Sequence, residues 1–209
     1  MHRRNHHGRS GIRGSDSGGG GANPELRSAK SHQAILDATF ELAVRNGYGK
    51  LTIEAIAAKA GVGKQTIYRW WPSKGAIALE AINDQIGSAT DFPDTGDIAA
   101  DLKAQIGGLA RMLAGDVGCV YRGVIAEAQN DPKLMQMVRE TFVEPRARKG
   151  GIRLESAIRA GQIRDDLSVL AMTNMLYGPV YLRFLLDVGD VLDAPELVDP
   201  ILDGLRPRS

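Results

Sequence analysis

Between Thr52 and Lys74 the chain reads TIEAIAAKAGVGKQTIYRWWPSK, and no other stretch restricts the fold as tightly. Thr52 is a good N-cap for a short helix running to Ala60. Gly61 permits a tight turn, and a second short helix runs from Gly63 to about Trp71. Pro72-Ser73 breaks that helix, and Ser73 caps another that continues to about Ile86. Two helices joined by so short a turn must cross closely. Ala57 supplies a small side chain at the crossing, and Val62 plugs the core directly after the turn. Ile56 and Ile67 add buried contacts, with Trp71 four residues beyond Ile67 on the same face. The pattern is that of a helix-turn-helix.

The opposite face of the helix after the turn carries Gln65, Tyr68 and Arg69, flanked by Lys64 and Thr66. Lys, Gln and Arg can reach base edges in a major groove, whereas Thr and Tyr hydroxyls bond phosphates. Lys74 is placed to hold the nucleic-acid backbone beside the groove. A polar helix face is also what any solvated helix shows, so charge distribution matters. The formal net charge is only +1. The signs are segregated, however: residues 1–75 carry a net +7 and residues 76–209 a net −6. A basic third on an acidic remainder points to a polyanion-binding module joined to a part with another task. Charge alone does not separate nucleic acid from an anionic membrane.

The remainder reads as helix throughout. Residues 1–24 mix Arg, His, Ser and Gly with no apolar period, and are expected to be disordered. They are either a basic arm along DNA or a solvated tail, and His2, His6 and His7 there do not make a metal site. A first helix is expected from near Ser31, with Ile35, Ala38, Thr39, Leu42 and Ala43 on one face and Asn46-Gly47 ending it. Beyond Pro93, helices are expected near 97–113, 117–129, 133–160, 167–186 and 195–205, separated by Gly, Pro and Asp breaks. No strand-length alternation appears, so the fold class is all-α. The expected organisation is a disordered basic tail over 1–30, a three-helix helix-turn-helix DNA-binding domain over 31–76, and a helical ligand-binding and dimerisation domain over 77–209.

The stretch Leu51 to Lys74 resembles the DNA-binding domain of the tetracycline-repressor (TetR/AcrR) family. That pattern has a Thr opening the second helix (Thr52), an Ile-Ala pair (Ile56-Ala57), Ala-Gly-Val at the turn (Ala60-Gly61-Val62) and Thr-Ile-Tyr in the recognition helix (Thr66-Ile67-Tyr68). An aromatic residue follows three places later (Trp71), then a Ser-Lys entry to the fourth helix (Ser73-Lys74). The resemblance extends over about residues 31–82. It implies phosphate contacts at Thr52, Thr66, Tyr68 and Lys74, base readers at Lys64, Gln65 and Arg69, and Trp70 packed on the sugar-phosphate backbone. Two departures stand out. Gly63 takes a place often held by Ser or Thr, which removes a capping or phosphate-bonding hydroxyl. Trp71 replaces a commoner Phe and brings an indole N–H that needs an acceptor.

The resemblance implies more about the C-terminal part. The segment 176–186 is similar to the penultimate helix of one subgroup, where it forms half of a dimer interface. Tyr181, Phe184 and Leu185, with Val198, Ile201, Leu202 and Leu205 on the last helix, would then meet their copies across a two-fold axis; the alternative is core packing within one chain. Pro179 inside this helix is expected to kink it. An effector pocket among the middle helices would be lined by Met112, Tyr121, Ile125, Met135, Phe142 and Met175, unless these simply fill the core. Cys119 is expected to be a buried, inert thiol rather than a redox sensor.

Three classes compete: a ligand-responsive repressor, a helical enzyme, and a helical interaction protein. An activator, or a regulator without an effector, is the nearer variant of the first. The histidines, His2, His6, His7 and His32, leave the acidic body without an imidazole base or metal ligand, and no Gly-rich phosphate loop or Cys/His cluster is present. A pure interaction module leaves the charge segregation unexplained. The longest uncharged apolar run, Leu167 to Leu182, is interrupted and short of the roughly 20 residues of a membrane span. The N-terminus has no apolar signal region, and a single cysteine fits a reducing cytosol. The expectation is a cytoplasmic, non-enzymatic regulator without cofactor. Its expected partners are a palindromic duplex, a second copy and a small-molecule effector, with no membrane.

Overall fold

Small polar side chains mark where helices start. In the computed structural model, which describes residues 24–87, 91–188 and 194–207, five helices begin at a Ser, Thr or Asp whose side chain accepts a first-turn N–H. Thr52 caps α2 (Ile53–Ala60), Ser73 caps α4 (Lys74–Ile86), and Asp97 caps α5 (Ile98–Ala114). Asp131 caps α7 (Pro132–Val138) and Ser168 caps α9 (Val169–Leu186). The remaining helices are α1 (Pro24–Asn46), α3 (Lys64–Trp70), α6 (Asp116–Ala128), α8 (Glu144–Arg159) and α10 (Ala194–Leu205). A short 3-10 turn, Tyr48–Lys50, follows α1. No strand occurs among the described residues, and the all-α expectation holds.

Two boundaries differ from the sequence reading. The first helix begins at Pro24, not near Ser31, so residues 24–30, expected in the disordered tail, are helical. The rest of the expected tail, 1–23, lies outside the described residues. The single helix expected over 133–160 is instead α7, a wide π turn at Arg139–Val143, and α8. Pro145 explains the widening. It has no N–H to donate, and its ring would clash with the carbonyl one turn back. The Glu144 N–H reaches to the Arg139 carbonyl instead. Pro179 lies inside α9, which runs unbroken through it.

Packing centres on α4. Gly75, Ala76, Ile77, Ala78, Leu79, Ala81, Ile82 and Ile86 are all buried on it. It packs against α1 on one side and α6 on the other. One continuous apolar core therefore runs from Ile35, Ile56, Ile67 and Trp71 through Ile82 to Leu102, Tyr121, Phe142, Leu176 and Val198. Two glycines allow the close approach that joins head to body. A Cβ on Gly123 of α6 would lie 2.5 Å from Tyr48 Cβ, and one on Gly75 would lie 2.6 Å from Leu134 Cδ2.

The body is pinned by a buried ion pair. Arg153 of α8 donates from Nε to Asp101 Oδ2 of α5 at 2.8 Å. Asp101 also accepts from the Thr95 hydroxyl at 2.7 Å. Burial alone would raise the Asp101 carboxyl's pKa. The Thr95 and Arg153 hydrogen bonds and the Arg153 charge outweigh it and hold the carboxyl below its ordinary value.

Candidate functional site

The turn between α2 and α3 is built as the sequence requires. Gly61 adopts φ 67° and ψ 32°, the left-handed region, and the Val62 N–H reaches the Ala57 carbonyl at 3.0 Å. Behind α3, Ile67 is fully buried and Trp71 nearly so. The indole N–H of Trp71 finds its acceptor in Glu80 Oε2 at 2.6 Å, and the other oxygen of Glu80 meets His32 Nε2 at 3.0 Å. Neither partner was legible from the motif, although a buried Trp always raises the question of what accepts its N–H.

This support leaves one face of α3 free. Lys64, Gln65, Tyr68 and Arg69 are exposed, Tyr68 by 56%, and Thr66 is half-buried. Gly63 caps α3 without a side-chain bond, as its lack of a hydroxyl dictates. Thr52 spends a lone pair on the Ala55 N–H at 3.2 Å and keeps its O–H free to donate. Trp70 is more occupied than expected. Its ring stands 5.4 Å from Trp71 and 5.2 Å from His32, and the Arg69 guanidinium sits 5.0 Å above it. Trp70 thus orients Arg69 and closes the aromatic cluster, with only part of its surface open.

Two of the expected cationic contacts already have acidic partners. Lys64 Nζ lies 3.0 Å from Glu54 of α2, which holds the Glu54 carboxyl below and the Lys64 ammonium above their ordinary pKa values through hydrogen bonding and charge. Lys74 Nζ lies 3.3 Å from Glu127 of α6 and 4.8 Å above the Tyr48 ring. The Tyr48 hydroxyl is pushed well above its usual range, first by burial and then by Glu127. Motif reasoning did not find Glu54 or Glu127, because both lie outside the recognition helix.

In the body, a cavity of about 450 Å³ opens between α5, α8 and α9. Leu109, Val143, Ala147 and Leu170 form apolar walls, while Gln105, Tyr177, Tyr181 and Arg146 supply the main polar groups. None of the six residues expected to line a pocket reaches this lining. Met175 is exposed on α9, and Met112, Ile125 and Met135 pack half-buried against the core. Tyr121 and Phe142 are fully buried and stacked at 4.3 Å, one layer beneath it. Phe142 carries the Arg146 guanidinium 3.9 Å above its ring, and the Tyr121 hydroxyl pairs with that of Tyr181. Met and aromatic residues at helical spacing fill the core here, the plainer of the two readings.

The expected dimer face is also redrawn. Val198 and Leu205 are 0% exposed, and Phe184 is buried in a stack with Tyr121. These three sit in the core of this chain. Tyr181, Ile201 and Leu202 are half-buried against that core, and Leu185 alone of the seven is exposed. Exposed apolar side chains gather on α9: Leu170, Met175, Leu182, Leu185 and Leu186, with Leu182 57% and Leu186 61% exposed. By contrast, α10 turns Glu196, Asp199 and Asp203 outward. Cys119 is exposed, not buried, because α6 buries Gly118, Val120, Tyr121 and Val124 and leaves Cys119 on the outer side with Asp116.

Comparison with known proteins agrees with this geometry. Residues 35–81 match the family described as bacterial regulatory proteins, tetR family, and residues 92–202 match the tetracyclin repressor-like C-terminal domain. The chain is 33% identical to the HTH-type transcriptional regulator YdeS of Bacillus subtilis, over 86% of this chain and 90% of that one. It superposes on the crystal structure of the TetR family transcription regulator SCO0332 with a TM-score of 0.73 and 36% identity, covering 85% of this chain and all of the other. The fold is shared with the transcriptional regulator FadR of Bacillus subtilis in complex with stearoyl-CoA, at a TM-score of 0.65, 20% identity, and coverage of 82% and 96%. A helix-turn-helix head with a free polar recognition face, joined through α4 to a helical body, makes this chain a DNA-binding transcriptional regulator of the TetR family.

Proposed function

We propose that this regulator is a repressor that binds a palindromic operator as a homodimer and is released by a small molecule held between α5, α8 and α9. The observation that carries the reading is the free face of α3. Gln65 and Arg69 stand exposed at i and i+4 on a helix whose opposite side is locked by Ile67 and Trp71. On this reading Lys64, Gln65 and Arg69 meet base edges in the major groove. Thr52, Thr66, Tyr68 and Lys74 fix the register on phosphates, and Trp70 steadies Arg69 beside them. Residues 31–76 serve as reading head and 77–209 as effector and dimerisation body, with α4 shared between them.

One such helix binds weakly, so two must act together, about 34–36 Å apart, to enter successive grooves on one face of the duplex. The open apolar face of α9 supports self-association, because a stripe of Leu side chains in water marks a partner surface. The cavity supports the effector: its size and mixed lining suit a small ligand, and the similarly folded FadR holds stearoyl-CoA. A ligand changes DNA affinity only by its differential affinity for the two head spacings. Selection of bound fragments from a random duplex pool, followed by footprinting, tests the core of this reading. Inverted half-sites with centres one helical turn apart are expected; a single asymmetric site would sink the dimeric mode.

A further inference from the structure

Among the described residues, Arg146 is the one charged side chain on the lining of the α5–α8–α9 cavity. A guanidinium placed against apolar walls loses hydration, and such a cation is ordinarily matched by a carboxylate. Here the match is missing. Arg146 Nη1 donates to the Phe142 carbonyl at 2.9 Å and Nη2 to the Asn83 amide oxygen at 3.2 Å, both neutral acceptors. Its Nε–H is buried with no acceptor among the described residues. Asp91, an acid whose field reaches it, is bound by Lys149. Burial lowers the guanidinium's pKa, but an arginine starts so high that it keeps its charge at neutral pH.

Other polar groups on the lining can add to this donor. Tyr177 donates its hydroxyl to Gln105 Oε1 at 2.9 Å, which uses the Tyr177 proton and turns the Gln105 NH2, with its two donors, toward a ligand. The Tyr177 and Tyr181 hydroxyls are pushed up, chiefly by burial, and stay protonated. Leu109, Val143, Ala147 and Leu170 make the apolar wall, and Thr173, whose hydroxyl donates to the Val169 carbonyl, Asn174 and Gly178 complete the lining.

Resting on the effector reading of this cavity, we infer that its ligand is a compact, mostly apolar monocarboxylate whose anionic end is held by Arg146. A carboxylate supplies the acceptor geometry that a guanidinium edge matches with two parallel hydrogen bonds. The buried Nε–H comes into reach as the guanidinium turns off Asn83. Because Asn83 lies on α4, which begins directly after the recognition helix, the same rotation gives the ligand a mechanical hold on the head.

Calorimetry on the full-length protein tests this, using decanoate, cinnamate and biphenylcarboxylate, each beside its uncharged carboxamide. At least one carboxylate is expected to bind roughly tenfold or more tightly than its amide, a gap of about 1.4 kcal/mol. In R146Q that gap closes while the amide's affinity and the melting temperature stay near wild type. A147W, which fills the cavity from α8 without touching the Arg146 partners, abolishes binding of both forms. Equal binding of acid and amide, still blocked by A147W, overturns the carboxylate assignment and leaves the cavity standing as an effector site. Failure of every acid and amide to bind overturns the assignment and removes the cavity as the effector site with it. Discrimination that survives in R146Q overturns the role of Arg146.

Discussion

Lys74 Nζ lies 3.3 Å from the Glu127 carboxylate, so a lysine at the entry to α4 is paired across the seam with the acidic body. Phosphate and Glu127 compete for the same ammonium. The pair is partly exposed and worth at most about 1 kcal/mol, small enough for DNA to displace. E127Q is expected to tighten binding to any duplex by roughly twofold to fivefold. K74A is expected to weaken binding to all duplexes and flatten the salt dependence by about one ion. Fluorescence anisotropy over a salt series measures both; an E127Q protein with wild-type affinity would show that Lys74 does not reach the phosphate.

Tyr68 and Arg69 are neighbours on the open face of α3 but are assigned different tasks. Y68F removes only a hydroxyl and should cost about 1 kcal/mol evenly across sequences. Q65A and R69A should each cost about 1–3 kcal/mol on the preferred site and relax selectivity there. Competition binding against a set of single-base operator variants separates the two patterns. Equal loss of selectivity in all three proteins would refute the division.

The open apolar face of α9 predicts that L182D or L186D yields a monomer. A buried, unpaired carboxylate at a subunit interface costs several kcal/mol, whereas the same residue on a free surface is nearly neutral. Light scattering at micromolar concentration should show half the wild-type mass, with unchanged helix content and much weaker binding to a full operator. V198D, placed in the core of one chain, should instead fail to fold. A dimer that persists in L182D and L186D would place the contact elsewhere.

The Asp101–Arg153 pair makes the fold sensitive to acid. The carboxyl's folded pKa lies below its unfolded value of about 3.9, so the pair's stability is fully present above that value and is lost as pH falls through the lowered one. The melting temperature should therefore be insensitive to this group above about pH 5 and fall at lower pH. R153M leaves a buried carboxylate without its cation and should cost about 3–5 kcal/mol at neutral pH. Burial then dominates, the Asp101 pKa rises, and the penalty should shrink on acidification. Melting curves of both proteins from pH 7 downward check the opposite slopes, and parallel curves would exclude Asp101 as the titrating group.

The recognition helix and its turn were legible because each step rests on local chemistry. Caps at Thr52 and Ser73, a left-handed Gly61 and a buried Ile67 need no knowledge of distant residues. The start of α1 was missed for the opposite reason. Residues 25–30 are all exposed and carry no apolar period, although Pro24-Glu25 is itself a helix-opening pair. The cavity was beyond reach, because α5 lies far in sequence from α8 and α9 and only their crossing defines the space. Helix α9 is apolar around most of its circumference. Periodicity therefore could not tell that Phe184 points inward while Leu182 and Leu186 point out.

The uninterrupted core beneath α4 bears on how such regulators can be recombined. Cutting the chain after the helix-turn-helix would strip Ile77, Leu79 and Ile82 of one wall or the other, and a transplanted head ending at Ser73 would arrive without its floor. A working chimera has to carry α4 with the head and preserve the glycine seats at Gly75 and Gly123 on which Leu134 and Tyr48 rest. Head and body are therefore exchangeable parts only when the splice falls beyond Ile86.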